Sequence, residues 1–181
     1  MIEILKSIFA PAQLFGYVGM ATCLLSYQCH KNSRYFFCQT ACAIGFTLQF
    51  LLLGAWSGMF MNLVAIIRGI LFSLGEKTHK PYILALILAA FVGTSLVSVL
   101  LFDELWWIAV CVFIAQTAGT LSQWTRNGKT IRDVQLYAVS PLWLVNNIYY
   151  GAIGGIICEV FNMISVIVSY IRFRKIGYDK T

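Results

Sequence analysis

The sequence predicts an all-α integral membrane protein: seven transmembrane helices set as two parallel three-helix units joined by a connector helix. Three observations carry that prediction. The chain is 60% hydrophobic and only 11% charged, against about 25% charged residues in an average soluble domain. Its apolar runs are long enough to cross a bilayer, and its two halves match at a nearly constant offset.

A span needs roughly 20 mostly apolar residues. Candidates lie near 11–29, 34–53, 57–75, 82–101, 105–123, 131–150 and 152–172. They leave no room for a soluble domain, so residues 1–181 read as one transmembrane domain. Repeat one covers about 11–75, the connector about 82–101, repeat two about 105–172, and 173–181 form a tail. The first span lacks a small-residue cleavage site after its apolar core, and it belongs to the repeat, so it reads as a retained helix.

The net charge of +6 would point to nucleic acid only if the basic residues shared one face. They fall instead in short clusters between apolar runs. Lys31, Arg34, Lys77, Lys80, Arg126, Lys129, Arg132, Arg172, Arg174, Lys175 and Lys180 all lie on one side, with Lys6 alone opposite, beside Glu3, Asp103 and Glu104. The excess predicts an external N-terminus and a cytoplasmic C-terminus. The lipid bilayer is the expected surrounding, nucleic acid is not an expected partner, and a homo-oligomer stays open. The six cysteines sit in or beside apolar runs without CxxC spacing, which reads as buried small hydrophobes. No metal and no cofactor is expected.

The repeat is visible in particular residues. Gly54, Ala55 and Gly58 recur as Gly151, Ala152 and Gly155, an offset of 151 − 54 = 97. Leu25-Ser26 recurs as Leu121-Ser122 at 96, so a one-residue adjustment lies between the two matches. Gly19 and Cys23 fall on Ala115 and Gly119, giving small residues at four-residue spacing, which lets helices approach closely in lipid. An odd number of spans per half needs the connector to keep the halves parallel. Parallel repeats in a 3+1+3 order are the organisation of SWEET-type transporters.

The run "LLLGAWSGMFMNLVAIIRG" and the run "NNIYYGAIGGIICEVFNMISVIVSYIRFRKIGYD" resemble the corresponding parts of the YgjV-like family of bacterial inner-membrane proteins. That resemblance implies a small seven-span protein of the inner membrane and lends no functional residues. The SWEET-like assignment is an analogy of fold, which does not give function. SWEET transporters carry hinge prolines in several helices, whereas here only Pro141 lies inside a span, Pro11 and Pro81 being at span starts.

Ionisable residues inside a membrane are costly and face a bundle interior, a partner or a cavity. Arg68 and Glu159 qualify. Arg68 is equivalent to Ser165, six residues beyond Glu159, which is ~9 Å deeper along a parallel helix. A structural ion pair is therefore strained, and places along a solute path are the other reading. Asn62 matches Glu159 in depth, and Asn162 shares its helical face. A midplane cavity lined by Asn62, Glu159 and Asn162 is expected to hold a small polar or cationic solute.

Gln49 and its equivalent Asn146, with Asn147, form a second polar level nearer the outside, and these three with Trp143 join Asn62, Arg68, Glu159 and Asn162 as the eight residues expected along the solute path. Trp56, Trp143, Tyr149 and Tyr150 surround that level as interfacial anchors or a gate. Gln116 and Gln123, seven apart, share a face suited to bonds between helices. Tyr27-Gln28 faintly resembles the proline-glutamine of PQ-loop proteins, and His30 and His79 read as solvated loop residues. No HExxH, nucleophile elbow or P-loop occurs, so no enzyme is expected. The sequence reads as a transporter or facilitator of a small polar solute. The alternative is a receptor or assembly protein whose intramembrane polar residues only hold the bundle together.

Overall fold

The computed structural model describes residues 10–26 and 32–176, and every regular element among them is helical. The order is α1 (Pro11–Ser26), α2 (Asn32–Leu53), α3 (Trp56–Ser73), α4 (Pro81–Phe102), α5 (Trp106–Trp124), α6 (Gly128–Val134), a π-helical segment (Gln135–Val139), α7 (Ser140–Tyr149) and α8 (Ile153–Ile176). The α6–π–α7 stretch is one continuous path, so the described chain forms seven helical rods. Tyr27, Gln28 and His30 lie outside the described residues.

Local chemistry explains most of the helix ends. Pro81 opens α4, where its missing N–H costs nothing. Asp103 closes that helix in the left-handed conformation, φ 51°, with its N–H donated to the Ser98 carbonyl. Asn127 caps α6 by accepting from the backbone N–H groups of Lys129 and Thr130 at 2.9 and 3.2 Å. The α2–α3 and α7–α8 links are built alike. Gly54 and Gly151 both adopt positive φ, 70° and 63°. Each is followed by an alanine whose N–H reaches back five residues, Ala55 to Phe50 at 2.9 Å and Ala152 to Asn147 at 2.8 Å. The glycines expected to correspond thus make the same turn.

Three helical runs are long and apolar enough to cross a membrane by themselves: Arg34–Leu53, Trp56–Ser73 and Pro81–Phe102. Ile153–Val168 is a shorter apolar run. The shortfall from the seven expected spans has physical causes in α5 and α7: the π segment leaves α7 only 10 residues long, and polar side chains thin the apolar runs of both. There Gln116, Thr120, Ser122, Ser140, Asn146 and Asn147 are buried, so polar side chains that dilute the apolar composition point inward. The outside is apolar: Phe37, Leu86, Leu100, Leu101 and Trp106 are all at least 66% exposed. A polar interior inside an apolar surface suits a lipid solvent.

Packing runs crosswise between the two sets of three. α1 packs on α2 and α2 on α3, while α5 packs on α7 and α7 on α8. Between the sets, α1 packs on α8 and α5 on α3, and α4 touches both α3 and α5. The α1–α8 crossing is close because both helices offer glycine there. A Cβ at Gly154 would lie 2.6 Å from the Gly16 carbonyl carbon; α1 and α2 approach in the same way, where a Cβ at Gly45 would lie 2.8 Å from Gly19. Phe50 and Trp143 stack at the centre, ring centroids 5.6 Å apart and 13° from parallel.

The two crossings carry matching polar ties at the helix starts. On α1, Gln13 accepts from the Ile153 N–H of α8 at 3.0 Å and donates to the Gly151 carbonyl at 2.9 Å. Beside α5, Glu104 accepts from the Ser57 N–H of α3 at 2.6 Å and from the Ser57 hydroxyl at 2.8 Å. The Tyr150 hydroxyl donates to the same carboxylate at 2.6 Å. Glu104, counted above as an external acid, is therefore a buried helix cap, 7% exposed, placed at a positive helix N-terminus. Two aromatic expectations also change. Trp143 is 8% exposed and belongs to the core, and His79 stacks on Trp124 at 3.7 Å, so it is a packed residue.

Candidate functional site

A cavity of about 90 Å³ lies between the two sets of helices. Among the described residues, α4 contributes nothing to its wall, while α1, α2, α3, α5, the π segment, α7 and α8 all do. Of the residues singled out above, Asn62, Arg68, Trp143, Asn147, Glu159 and Asn162 line it. Gln49 and Asn146 do not: both are wholly buried, at 0% exposure, each beside a lining residue in the chain, Phe50 and Asn147. Gln49 donates to Gln13 at 2.9 Å, joining the tie at the start of α1. Asn146 has no hydrogen-bond partner on either amide atom among the described residues.

Arg68 projects from α3 toward α5. Its Nη1 donates to the Gln116 Oε1 at 3.1 Å and to the Thr120 hydroxyl at 2.7 Å, while Nε is buried with no partner. Gln116 serves as the interhelical amide expected of it, and its partner is the arginine. Glu159 projects from α8, 9% exposed. Its Oε2 accepts from Asn162 at 3.3 Å and from Gln135 at 3.5 Å. Both are long beside the ~2.7–2.9 Å of bonds to an ionised group. Among the described residues no ion pair joins Arg68 to Glu159; each charge is bonded to neutral groups of its own.

The neutral groups around them are partly uncommitted. Asn62 donates to the Gly58 carbonyl at 2.8 Å, one turn back, which leaves its side-chain oxygen toward the cavity without a protein donor. The Asn147 Oδ1 is buried and unpaired. Unsatisfied polar atoms are rare in protein interiors and call for a partner such as water or a solute. Cys23, Cys42 and Cys158 pack together and complete an apolar side of the wall.

Gln39 and Gln135 escaped the sequence reading, and both line the cavity. They are related by 135 − 39 = 96, the offset of the Leu25-Ser26 match, so the signal was present. Gln135 donates to Ser140 at 2.9 Å as well as to Glu159; Gln39 donates to Ser26 at 2.9 Å. Beyond Gln39 and Gln135 the offset becomes 97, as in Phe46/Trp143 and Gln49/Asn146. The step falls within the π segment Gln135–Val139. A π turn takes one more residue than an α turn, and π turns collect at functional sites. The change of offset in the sequence thus coincides with the π segment, whose Gln135 contacts the Glu159 carboxylate.

An all-helical body, apolar outside, with a polar cavity holding one buried cation and one buried carboxylate, defines an integral membrane protein with an internal polar site. The family model of Imp-YgjV, bacterial inner membrane protein, matches residues 10–176, and the chain belongs to that family. No curated protein and no solved structure matches it.

Proposed function

We propose that this inner-membrane protein is a small transporter or facilitator that moves a small polar solute between two duplicated three-helix units. The observation that carries the reading is the cavity between those units, where Arg68 and Glu159 are both buried and not paired with each other. A protein that needed these residues only for cohesion would gain most by joining them, because a buried charge without its counter-charge is costly. The crosswise ties of Gln13 and Glu104, the paired left-handed glycines and the π-located register step all support a duplication with parallel halves. On this reading all seven rods cross the bilayer. The charge clusters set the N-terminus outside and the C-terminus in the cytoplasm, and the chain is not an enzyme.

The ties of Gln13, Gln49, Glu104 and Tyr150 then lie at the external end and hold it shut, so the solute leaves or enters this conformation from the cytoplasmic side. A non-transporting receptor or assembly protein is the second reading. Its support is the Arg68 bond pair to Gln116 and Thr120, which joins α3 to α5. Uptake into liposomes by purified protein, across a panel of small polar solutes, separates the two. Saturable uptake of a panel member supports transport; a solute that binds without crossing supports the receptor.

A further inference from the structure

The cavity's charge pattern restricts what it can hold. One wall includes Arg68, whose Nη1 is bonded only to neutral oxygens. Another presents the carboxylate of Glu159, held by two long bonds to neutral amides. A solute carrying only a negative charge would face Glu159 repulsion, and a solute carrying only a positive charge would face Arg68. A neutral polyol would neutralise neither ion while displacing the water around both. A solute bearing both charges can neutralise each, and it adds no net charge to a low-dielectric site.

We propose that the cavity binds a small zwitterion, an α-amino acid or a molecule of the same charge pattern, with its carboxylate toward Arg68 and its ammonium toward Glu159. This rests on the transport reading for its location but concerns the ligand class alone. Arg68 on α3 and Glu159 on α8 line the same cavity without an ion pair between them among the described residues, so one solute can meet both. Asn62 in the cavity wall, whose amide nitrogen is committed to the Gly58 carbonyl, adds an acceptor for an ammonium proton. The Phe50–Trp143 stack and the three thiols offer an apolar side for a short side chain.

The test uses four small probes: L-alanine, propionate, isopropylamine and, as a larger neutral polyol, xylitol. Binding is measured on the purified full chain by ligand-induced thermal stabilisation, and uptake is measured in liposomes. Expected is stabilisation by L-alanine above the other three, with saturable L-alanine uptake. Glu159→Gln and Arg68→Gln, each checked for folding by size-exclusion chromatography, should weaken L-alanine binding by about tenfold or more, the worth of a bond to a charged group. Glu159→Gln should also raise propionate binding relative to isopropylamine, a shift in charge preference that altered packing would not produce. Binding and uptake of xylitol in place of L-alanine would overturn the zwitterion while leaving transport standing. L-alanine binding without uptake would leave the zwitterion site standing and remove transport. Absence of L-alanine binding to the folded wild-type chain overturns the proposal outright.

Discussion

Arg68 and Glu159 are where the account is most exposed at the scale of single residues. Were they a structural pair, Glu159→Gln would leave a buried cation unpaired and cost about 3–5 kcal/mol. Because Arg68 is bonded to Gln116 and Thr120, Glu159→Gln should cost less than about 1 kcal/mol. Combining it with Arg68→Met should show almost no coupling in a double-mutant unfolding cycle. Strong coupling would restore the ion pair. Glu104 has the opposite profile. Glu104→Ala removes the acceptor for the Ser57 N–H and the Tyr150 hydroxyl, leaving buried donors unmet, so about 1–3 kcal/mol or more of stability should be lost. A glycine pair supplies a further check. Gly154→Ala places a Cβ 2.6 Å from Gly16 backbone, whereas a Cβ at Gly93 meets nothing within 4 Å. Thermal unfolding in detergent should drop clearly for Gly154→Ala, by about 1–3 kcal/mol, and hardly move for Gly93→Ala.

Among the elements, the π segment is the one whose shape carries the most meaning. Deleting Ala138 would restore a uniform 96-residue offset and let the stretch close as α-helix. It would also rotate everything upstream by about one residue's turn, ~100° in a 3.6-residue helix, taking Gln135 away from Glu159 and Ser140. Helix content by circular dichroism should persist while solute binding falls; full binding after the deletion would show that the π turn does not position Gln135. The helices themselves were largely legible in the sequence, because apolar runs of the right length have few other uses. The register step was legible as arithmetic, but its cause was not, since a π turn has no residue signature of its own. Glu104 was misplaced for a related reason. An acid beside Asp103 at the end of an apolar run reads as a surface charge until the neighbouring helix N-terminus is known to lie against it. Gln39 and Gln135 were overlooked because they fall at the polar margins of spans, where an amide draws no notice.

Across the whole molecule, the sequence expected a polar site between the halves, and the structure places six of the eight chosen residues around one cavity. Gln49 and Asn146 were placed on the same path at a level nearer the outside, because depth can be read from sequence but direction around a helix cannot be fixed without the packing. The orientation is open to a direct check: a reporter fused after Thr181 should report the cytoplasm, and one inserted near Asp103 the outside. The central claim is that the cavity is a solute path, reached in turn from either face of the membrane. Its most direct measurement is the reaction of Asn62→Cys with a membrane-impermeant thiol reagent. The chain would have its six native cysteines replaced and would be reconstituted in liposomes of known orientation. The account predicts labelling from each side in separate experiments, slowed by a bound solute. Labelling from neither side would mean a sealed core whose polar residues serve only to hold the helices together.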